Sequence, residues 1–321
     1  MRTRRIALAA TAVAAMFGLT ACGAGASGSD NQGGGAAPVE GADLAIQVAD
    51  GSEVTLEATP QRVVVLDYAS LDTINAIGAG DAVVGVPQKT LPESLKSYKD
   101  TTDVGTLKET DFEAVAAADP DLIIISTRQA DNQAKFEEIA PTVNLSADPK
   151  NFIESSITRV EDLAGVFGKQ NEVADKVDAL KKQVEDLKAK AKESGPTMFV
   201  MSSGGKLSTY GPGSRYGFIY DELGFTPAAT DIKNDEGHGQ EISFEYVAEK
   251  NPESMLVIDR DAAIGKPGQA AEQVLDNALV KSTKAAKNEK ITYLDGVNWY
   301  LVTGGLDTLP SLLTELSDSL K

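Results

Sequence analysis

The chain has 321 residues, of which 42% are hydrophobic and 24% are charged, the composition of an ordinary globular protein with room for two hydrophobic cores. Its formal net charge of −18 argues against a nucleic-acid partner and against a basic membrane-binding face. The single cysteine and single histidine exclude an intrachain disulfide and cysteine-based metal or redox chemistry, and they argue against a zinc or manganese site built from several histidines.

The chain begins like a secreted protein. Arg2, Arg4 and Arg5 precede a short apolar run over residues 6–19, and small residues follow it. The run is too short for an ordinary membrane span, so we expect residues 1–21 to be a signal peptide. Residues 22–43 are rich in Gly, Ala and Ser, which predicts a flexible tether. Loss of the signal peptide would reduce the 30 basic residues to 27 against 48 acidic ones, a net charge of −21.

From residue 44 onward, strand patterns alternate with helix patterns. The first half is predicted to contain a hairpin at 44–48 and 54–56, strands at 62–67, 82–86, 122–126 and 143–145, and helices at 71–77, 112–118, 129–139 and 152–167. Such alternation predicts a parallel sheet that is covered by helices on both faces.

A long helix is predicted over residues 171–193, roughly 33 Å in length. Its apolar positions recur at steps of four and three, as one stripe: Val173, Val177, Leu180, Val184 and Leu187. After it, strands are predicted at 198–201, 207–210, 255–258 and 291–294, and helices at 216–223, 244–250 and 306–320. We therefore predict an α/β fold of two Rossmann-like lobes, residues 44–170 and 195–321, joined by one long α-helix at 171–194, with a ligand cleft between the lobes.

The two halves contain the same pattern. Phe112-Glu113 starts a helix that is followed by an Asp-Pro turn, an apolar strand and Arg128. Phe244-Glu245 starts a second helix that is followed by an Asn-Pro turn, an apolar strand and Arg260. The glutamate and the arginine are fifteen residues apart in both halves. This agreement in register indicates a duplicated unit.

In open α/β sheets, ligands bind outside the carboxyl ends of the strands. The residues expected there are Tyr68, Arg128, Arg215, Arg260, Trp299 and Tyr300. Each arginine alone could form a surface ion pair, but three in register with the repeat favour a cleft for an anionic ligand with planar oxygens. Tyr300 could be a packed aromatic and His238 a solvated loop residue. Alternatively, their nitrogen and phenolate donors could reach a ferric ion that another chelator carries.

Several motifs resemble one protein family. Leu19-Thr20-Ala21-Cys22 resembles the lipobox of bacterial lipoproteins, in which the cysteine is lipidated. The segments similar to the substrate-binding lipoproteins of siderophore ABC importers, in their catecholate and petrobactin-like branch, are Val64-Val65-Leu66-Asp67-Tyr68, Gly211-Pro212-Gly213-Ser214-Arg215, Ile242-Ser243-Phe244-Glu245-Tyr246 and Trp299-Tyr300-Leu301.

The resemblance implies a function for each candidate residue. Arg128, Arg215 and Arg260 would neutralise a ferric catecholate, with Tyr68 and Trp299 contributing to the ligand site. His238 and Tyr300 would complete the coordination of the iron. Glu113 and Glu245 would dock to the two permease subunits, although their placement at helix starts is also explained by the helix dipole.

The resemblance also implies a monomer that is anchored through lipid on Cys22 at the extracytoplasmic face of the cell membrane. It implies no intrinsic cofactor, no enzymatic activity and no nucleic-acid partner, the ligand being a ferric siderophore. Haem or cobalamin are alternative ligands for the same fold. A siderophore esterase that uses Ser202-Ser203-Gly204-Gly205 near His238 is a weaker alternative, because no G-x-S-x-G motif is present. A single stiff connecting helix predicts only small closure of the lobes.

Overall fold

The computed structural model describes residues 44–233 and 239–321. The predicted signal peptide, the tether, Cys22 and His238 lie outside these residues. The strands are β1 (Leu44–Gln47), β2 (Glu53–Leu56), β3 (Val63–Val65), β4 (Val83–Val86), β5 (Thr102–Asp103), β6 (Leu122–Ile125), β7 (Thr142–Asn144), β8 (Pro196–Ser203), β9 (Lys206–Thr209), β10 (Thr226–Pro227), β11 (Gln240–Ile242), β12 (Ser254–Asp259) and β13 (Ile291–Leu294).

The α-helices are α1 (Tyr68–Ala76), α2 (Phe112–Ala117), α3 (Gln133–Glu137), α4 (Phe152–Val166), α5 (Gln170–Ala191), α6 (Phe218–Asp221), α7 (Phe244–Lys250), α8 (Arg260–Ala263), α9 (Ala271–Leu275), α10 (Ala278–Lys281), α11 (Lys284–Lys287) and α12 (Thr308–Asp318). Segments Gly80–Ala82, Glu93–Asp100 and Thr127–Asn132 are 3₁₀-helical, and Val297–Val302 is a π-helix. Among the described helices, none has both the length and the apolar character needed to cross a bilayer.

The first sheet contains five parallel strands in the order β5-β4-β3-β6-β7. Every residue of the two central strands, β3 and β6, is buried, as expected for a parallel sheet with helices on both faces. The predicted N-terminal hairpin is confirmed as the antiparallel pair β1-β2, but it forms a separate sheet rather than an edge of this one.

The second sheet is mixed, in the order β11-β9-β8-β12-β13, with β10 beside β8. Strands β8, β12 and β13 are parallel, whereas β9 is antiparallel to β8. The reason is the connection between β8 and β9, which consists of Gly204 and Gly205 with φ angles of 60° and 76°. Two consecutive residues with positive φ form a tight hairpin, which only antiparallel strands can use. The sequence analysis took the end of β9 as a carboxyl end of a parallel sheet, and this prediction was wrong because β9 runs antiparallel to β8.

The duplicated units have the same local structure. Helix α2 is capped by Asp111 and α7 by Ser243, each through a side-chain oxygen that accepts a hydrogen bond from a first-turn amide. Each helix is followed by a residue in the left-handed conformation directly before proline, Asp119 with φ 49° and Asn251 with φ 45°. The chain then enters a central strand, β6 or β12, of its sheet.

Helix α5 contains the predicted long helix, and all five residues of its apolar stripe are buried. Its buried face lies in one continuous hydrophobic core with both sheets. That core contains Val63 of β3, Leu180 of α5, Phe199 of β8, Trp299 of the π-helix and Leu312 of α12. The two sheets are therefore joined by packing as well as by the helix.

Candidate functional site

A cleft of about 990 Å³ lies between the two sheets. Asp67 and Arg128 line it from the first sheet, and Arg215, Arg260 and Tyr300 line it from the second half of the chain. Arg128 and Arg260 follow β6 and β12 directly or within a few residues, so the duplicated units deliver one guanidinium each. Arg215 reaches the cleft from the loop before α6 rather than from a parallel strand end, because β9 runs antiparallel.

Tyr300 is the point at which the three arginines meet. The Nη2 atoms of Arg128 and Arg215 both donate to the backbone carbonyl oxygen of Tyr300, at 2.5 and 2.9 Å. The Nε atom of Arg260 donates to the Tyr300 hydroxyl oxygen at 2.9 Å. The three guanidinium carbons lie 5.7, 5.0 and 5.2 Å from the centre of the Tyr300 ring, for Arg128, Arg215 and Arg260 respectively. Three like charges are thus held around one side chain.

The π-helical turn Val297–Val302 explains why the Tyr300 carbonyl can accept side-chain donors. A π-helix shifts backbone bonding by one residue, and such turns occur often at functional sites. Here the Thr303 amide donates to the Asn298 carbonyl at 2.8 Å, and Thr303 itself has a φ of 43°. The carbonyl of Tyr300 is left for Arg128 and Arg215. Nothing in the residue pattern of this segment predicted a π-helix.

The arginines change the acidity of Tyr300. Burial alone would raise the pKa of the phenol, but the hydrogen bond from Arg260 and the charges of Arg260, Arg215 and Arg128 outweigh it, so the pKa is lowered. For Arg128, burial and then the nearby charge of Arg215 lower the pKa, against the opposing effect of Asp67. The positive charges of the cleft therefore make Tyr300 easier to ionise than an ordinary tyrosine, and they favour an anionic ligand.

A neighbouring hydroxyl group holds Arg260 in place. Arg260 Nη1 donates to Ser203 Oγ at 3.1 Å, and Ser203 donates to Asp261 Oδ1 at 3.2 Å. Asp67 lies in the field of Arg128, but burial raises the pKa of its carboxyl group in spite of the hydrogen bonds from Ser70.

Two of the predicted ligand residues do not reach the cleft surface. Tyr68 is fully buried and donates its hydroxyl to the Pro87 carbonyl at 2.8 Å. Trp299 is also fully buried, and its Nε1 atom donates to Glu315 Oε2 at 2.8 Å. The structure places both side chains in the core beneath the cleft, so in this conformation they support the site without lining it.

Glu113 and Glu245 are exposed in the first turns of α2 and α7. Each helix ends in a short turn that leads into the amino end of a central strand, β6 or β12. Each helix therefore runs antiparallel to that strand and begins near the carboxyl edge of the sheet. Their N-termini accordingly lie toward the edge that carries Arg128 and Arg260. For Glu245, hydrogen bonds from its own amide and from Ser243 lower the pKa of the carboxyl group.

The sequence interpretation missed one arginine of the cleft. Arg159 lines it from α4, one turn after Ser156. Within the helix pattern it looked like an ordinary surface position. The only feature of the sequence that could have placed Arg159 near the cleft was its spacing from Ser156 and Leu163. This spacing puts Arg159 on the same side of the helix as these two buried residues.

Chemically, the cleft suits a bulky ligand that presents several negatively charged, planar oxygen atoms. Arginine forks bind such oxygens through paired hydrogen bonds. A tyrosinate oxygen is in addition a hard donor that matches ferric iron.

Comparisons with known proteins agree with this geometry. The profile of the periplasmic binding protein family matches residues 63–297. The chain is 40% identical over 275 residues to the petrobactin-binding protein YclQ of Bacillus subtilis, over 85% of this chain and 86% of the relative. The crystal structure of YclQ superposes with a TM-score of 0.82 and 38% identity, over 87% of this chain and 98% of the other.

Two further solved structures are similar. One is the iron uptake ABC transporter substrate-binding protein PiuA of Streptococcus pneumoniae, with a TM-score of 0.81 and 36% identity over 86% of this chain and 98% of that one. The other is the periplasmic catecholate-siderophore binding protein VctP of Vibrio cholerae, with a TM-score of 0.79 and 34% identity over 86% of this chain and 99% of that one.

Proposed function

Because the chain belongs to the periplasmic binding protein family, we propose that it captures a ferric siderophore outside the cytoplasm and delivers it to an ABC importer for iron uptake. The observation that carries the proposal is the convergence of Arg128, Arg215 and Arg260 on Tyr300 inside a cleft of about 990 Å³. In a chain with a net charge of −18, such a cluster of cations is matched to an anion.

We further propose that the siderophore is of the catecholate type. A ferric catecholate carries several negative charges on planar oxygens, which the three guanidinium groups can neutralise. The ligands named for YclQ and VctP support this chemistry. Arg128, Arg215 and Arg260 form the contact set, whereas Tyr68 and Trp299 support it from the core.

Tyr300 and His238 are proposed as ligands to the iron of a siderophore that leaves coordination positions open. The lowered pKa of Tyr300 supports its half of the proposal. We expect His238→Ala to weaken the binding of tetradentate bis-catecholate complexes and to spare hexadentate ones. An equal effect on both complexes would argue against coordination by His238.

The test of the ligand class is a fluorescence titration with ferric catecholates, ferric hydroxamates, ferric citrate, haem and cobalamin. Trp299, the only tryptophan, adjoins Tyr300 and reports binding. We expect quenching by catecholates at nanomolar concentrations. Arg215→Ala and Arg260→Ala should each weaken this binding about tenfold or more, since each removes a charge-assisted contact of about 1.5–3 kcal/mol.

Arg62→Ala is the matched control, because Arg62 donates to the backbone carbonyl of Asp119 and does not line the cleft. Undiminished binding in both cleft variants would overturn the anion-binding site. A response to haem or cobalamin alone would favour the alternative ligands. Hydrolysis of a siderophore ester would revive the esterase alternative, in which Ser203 would have to give up its hydrogen bonds to Arg260 and Asp261.

The proposed partner is the permease dimer, contacted by Glu113 and Glu245. We expect the double variant Glu113→Ala, Glu245→Ala to bind the ligand normally and to abolish uptake by cells. Glu138→Ala with Glu249→Ala, two exposed glutamates outside the first turns of these helices, is the control and should leave uptake intact. Normal uptake by the first double variant would remove the docking proposal.

Membrane attachment through lipid on Cys22 is part of the same proposal. The protein would then act as a monomer at the extracytoplasmic face, next to its permease. Cys22→Ser should release it into the medium or the periplasm without any change in ligand affinity.

A further inference from the structure

We propose that Arg159 and Ser156 form a second anion subsite of the cleft, which binds a carboxylate arm of the ferric chelate that the three arginines around Tyr300 do not reach. The proposal rests on the proposed function and adds a property of the ligand: it carries a carboxylate in addition to its catecholate groups.

The two residues lie on one face of α4. They are three positions apart, which brings their side chains together on the helix surface. Both line the cleft, from an element that contributes none of the three arginines around Tyr300. Within residues 44–233 and 239–321, Arg159 forms no hydrogen bond or ion pair with Tyr300 or with the three arginines around it.

Ser156 is only 3% exposed, yet its hydroxyl makes no hydrogen bond to any described residue. The hydroxyl belongs to the lining of the cleft, so a ligand or water can bond to it there. The opposite wall at this point is Gly304, whose φ is 110°. A Cβ atom there would lie 3.0 Å from Ser156 Oγ and 3.3 Å from Phe152. The glycine therefore keeps space open in front of the hydroxyl.

Arg159 is held by one hydrogen bond, and the negative charge of Asp162 compensates its charge only in part. Its Nη2 atom donates to the Ser146 carbonyl at 2.9 Å, which fixes the guanidinium. Its Nε atom is buried and makes no hydrogen bond in the described part of the chain. Asp162 is one helical turn away and forms no ion pair with Arg159 within the described residues, and its own Oδ2 atom is buried without a partner. Glu161, the other nearby acid, faces Lys181 at 3.8 Å.

A guanidinium and a hydroxyl that line the same part of the cleft, one helical turn apart, can together donate to a carboxylate. Catecholate oxygens are engaged by iron, whereas a pendant carboxylate keeps free planar oxygens. Burial lowers the pKa of Arg159 and the charge of Asp162 opposes this effect, so a ligand anion would stabilise the guanidinium further.

The test uses equilibrium dialysis of radiolabelled iron with a matched pair of chelates. These are ferric catechol, which has no carboxylate, and ferric 3,4-dihydroxybenzoate, which carries one carboxylate on the same ring. The parent protein should bind the second more tightly. Arg159→Gln should weaken binding of the carboxylate chelate about tenfold and change binding of ferric catechol less than about twofold.

Ser156→Ala is the second variant, and it should fold normally because the hydroxyl has no partner to lose among the described residues. It should weaken only the carboxylate chelate, by about two- to fivefold. Arg215→Gln, the control, should weaken both chelates. Equal effects of Arg159→Gln and of Ser156→Ala on the two chelates, or no effect on either, would overturn the subsite alone. Failure of the parent to bind either chelate would overturn the proposed function as well.

Discussion

At the scale of single residues, Tyr300 concentrates the electrostatics of the cleft. All eight tyrosines of the chain are described, and its pKa alone among them is lowered. Burial raises the pKa of Tyr68 and Tyr98 to about 12, and it raises that of the other five as well. A spectrophotometric pH titration should therefore show one tyrosine that ionises below the ordinary value of about 10. Tyr300→Phe should remove that step and leave the others in place.

The same shift has a consequence for stability. A pKa that is lower in the folded than in the unfolded protein stabilises the folded state as pH rises, and the full contribution is present above the unfolded value of about 10. The free energy of unfolding of the parent should therefore rise relative to Tyr300→Phe as pH rises toward 10. Tyr98→Phe, the control, should show no such rise below pH 10, because the pKa of Tyr98 is raised. A constant difference between parent and Tyr300→Phe would contradict the perturbed phenol.

Residue types and register located much of the site, but they could not locate all of it. Arg128 and Arg260 were found because the duplicated unit ends on them. Tyr68 was expected in the cleft because it follows the first strand of the parallel sheet, at the carboxyl edge. In fact Asp67 caps a helix that starts at Tyr68, and this turns the ring into the core. Arg159 was missed because a single cation on an amphipathic helix looks solvated until the opposite wall is known.

At the scale of elements, the π-helical turn that carries Tyr300 is held by one carboxylate of α12. Glu315 Oε2 accepts from Trp299 Nε1 at 2.8 Å and from the Asp295 amide at 3.2 Å. Glu315→Ala would leave a buried indole N–H without a partner, so we expect a loss of about 1–3 kcal/mol in the free energy of unfolding. Ligand affinity should fall with it, because the carbonyl that orients Arg128 and Arg215 belongs to this turn.

Glu315→Gln is the matched variant, because it keeps an acceptor oxygen. Burial raises the pKa of Glu315, so the neutral amide also avoids the cost of a half-buried charge. We expect urea unfolding, followed by Trp299 fluorescence, to place Glu315→Gln near the parent and Glu315→Ala well below it. Equal stability of the two variants would mean that the hydrogen bonds do not hold the turn.

Elements with strong periodicity were predicted well from the sequence, and elements set by backbone geometry were not. Hydrophobic spacing alone predicts α5, from its apolar stripe, and β6, from its continuous apolar run. Strand β9 contains only one apolar residue, Leu207, and its direction depends on the Gly204-Gly205 turn. Arg215 nevertheless lines the cleft, although the parallel-strand argument that pointed to it does not apply to β9.

At the scale of the whole molecule, the described residues belong to one compact unit. The continuous core explains this, since it runs from β3 through α5 and α12 to β8. Polar contacts add to it: Asp72 of α1 accepts from the Asp307 and Thr308 amides at 2.9 and 3.2 Å, at the start of α12. Opening the two halves widely would expose this packing and break these bonds.

We therefore expect ligand binding to close the cleft only slightly. Burial is worth about 25 cal/mol per Å² of apolar surface, so separating the sheets by even a few hundred Å² would cost several kcal/mol, whereas small rearrangements of Arg128 and Tyr300 cost much less. Small-angle scattering of the chain without its signal peptide, carrying Cys22→Ser, should give a radius of gyration near 19 Å. Saturation with the ferric ligand should change it by less than about 1 Å, the amplitude expected without a flexible hinge. The double variant Arg215→Ala, Arg260→Ala controls for added chelate, because it should bind poorly. A contraction of more than about 2 Å, seen only in the binding-competent protein, would show that the shared core yields on binding and that the connecting helix acts as a hinge.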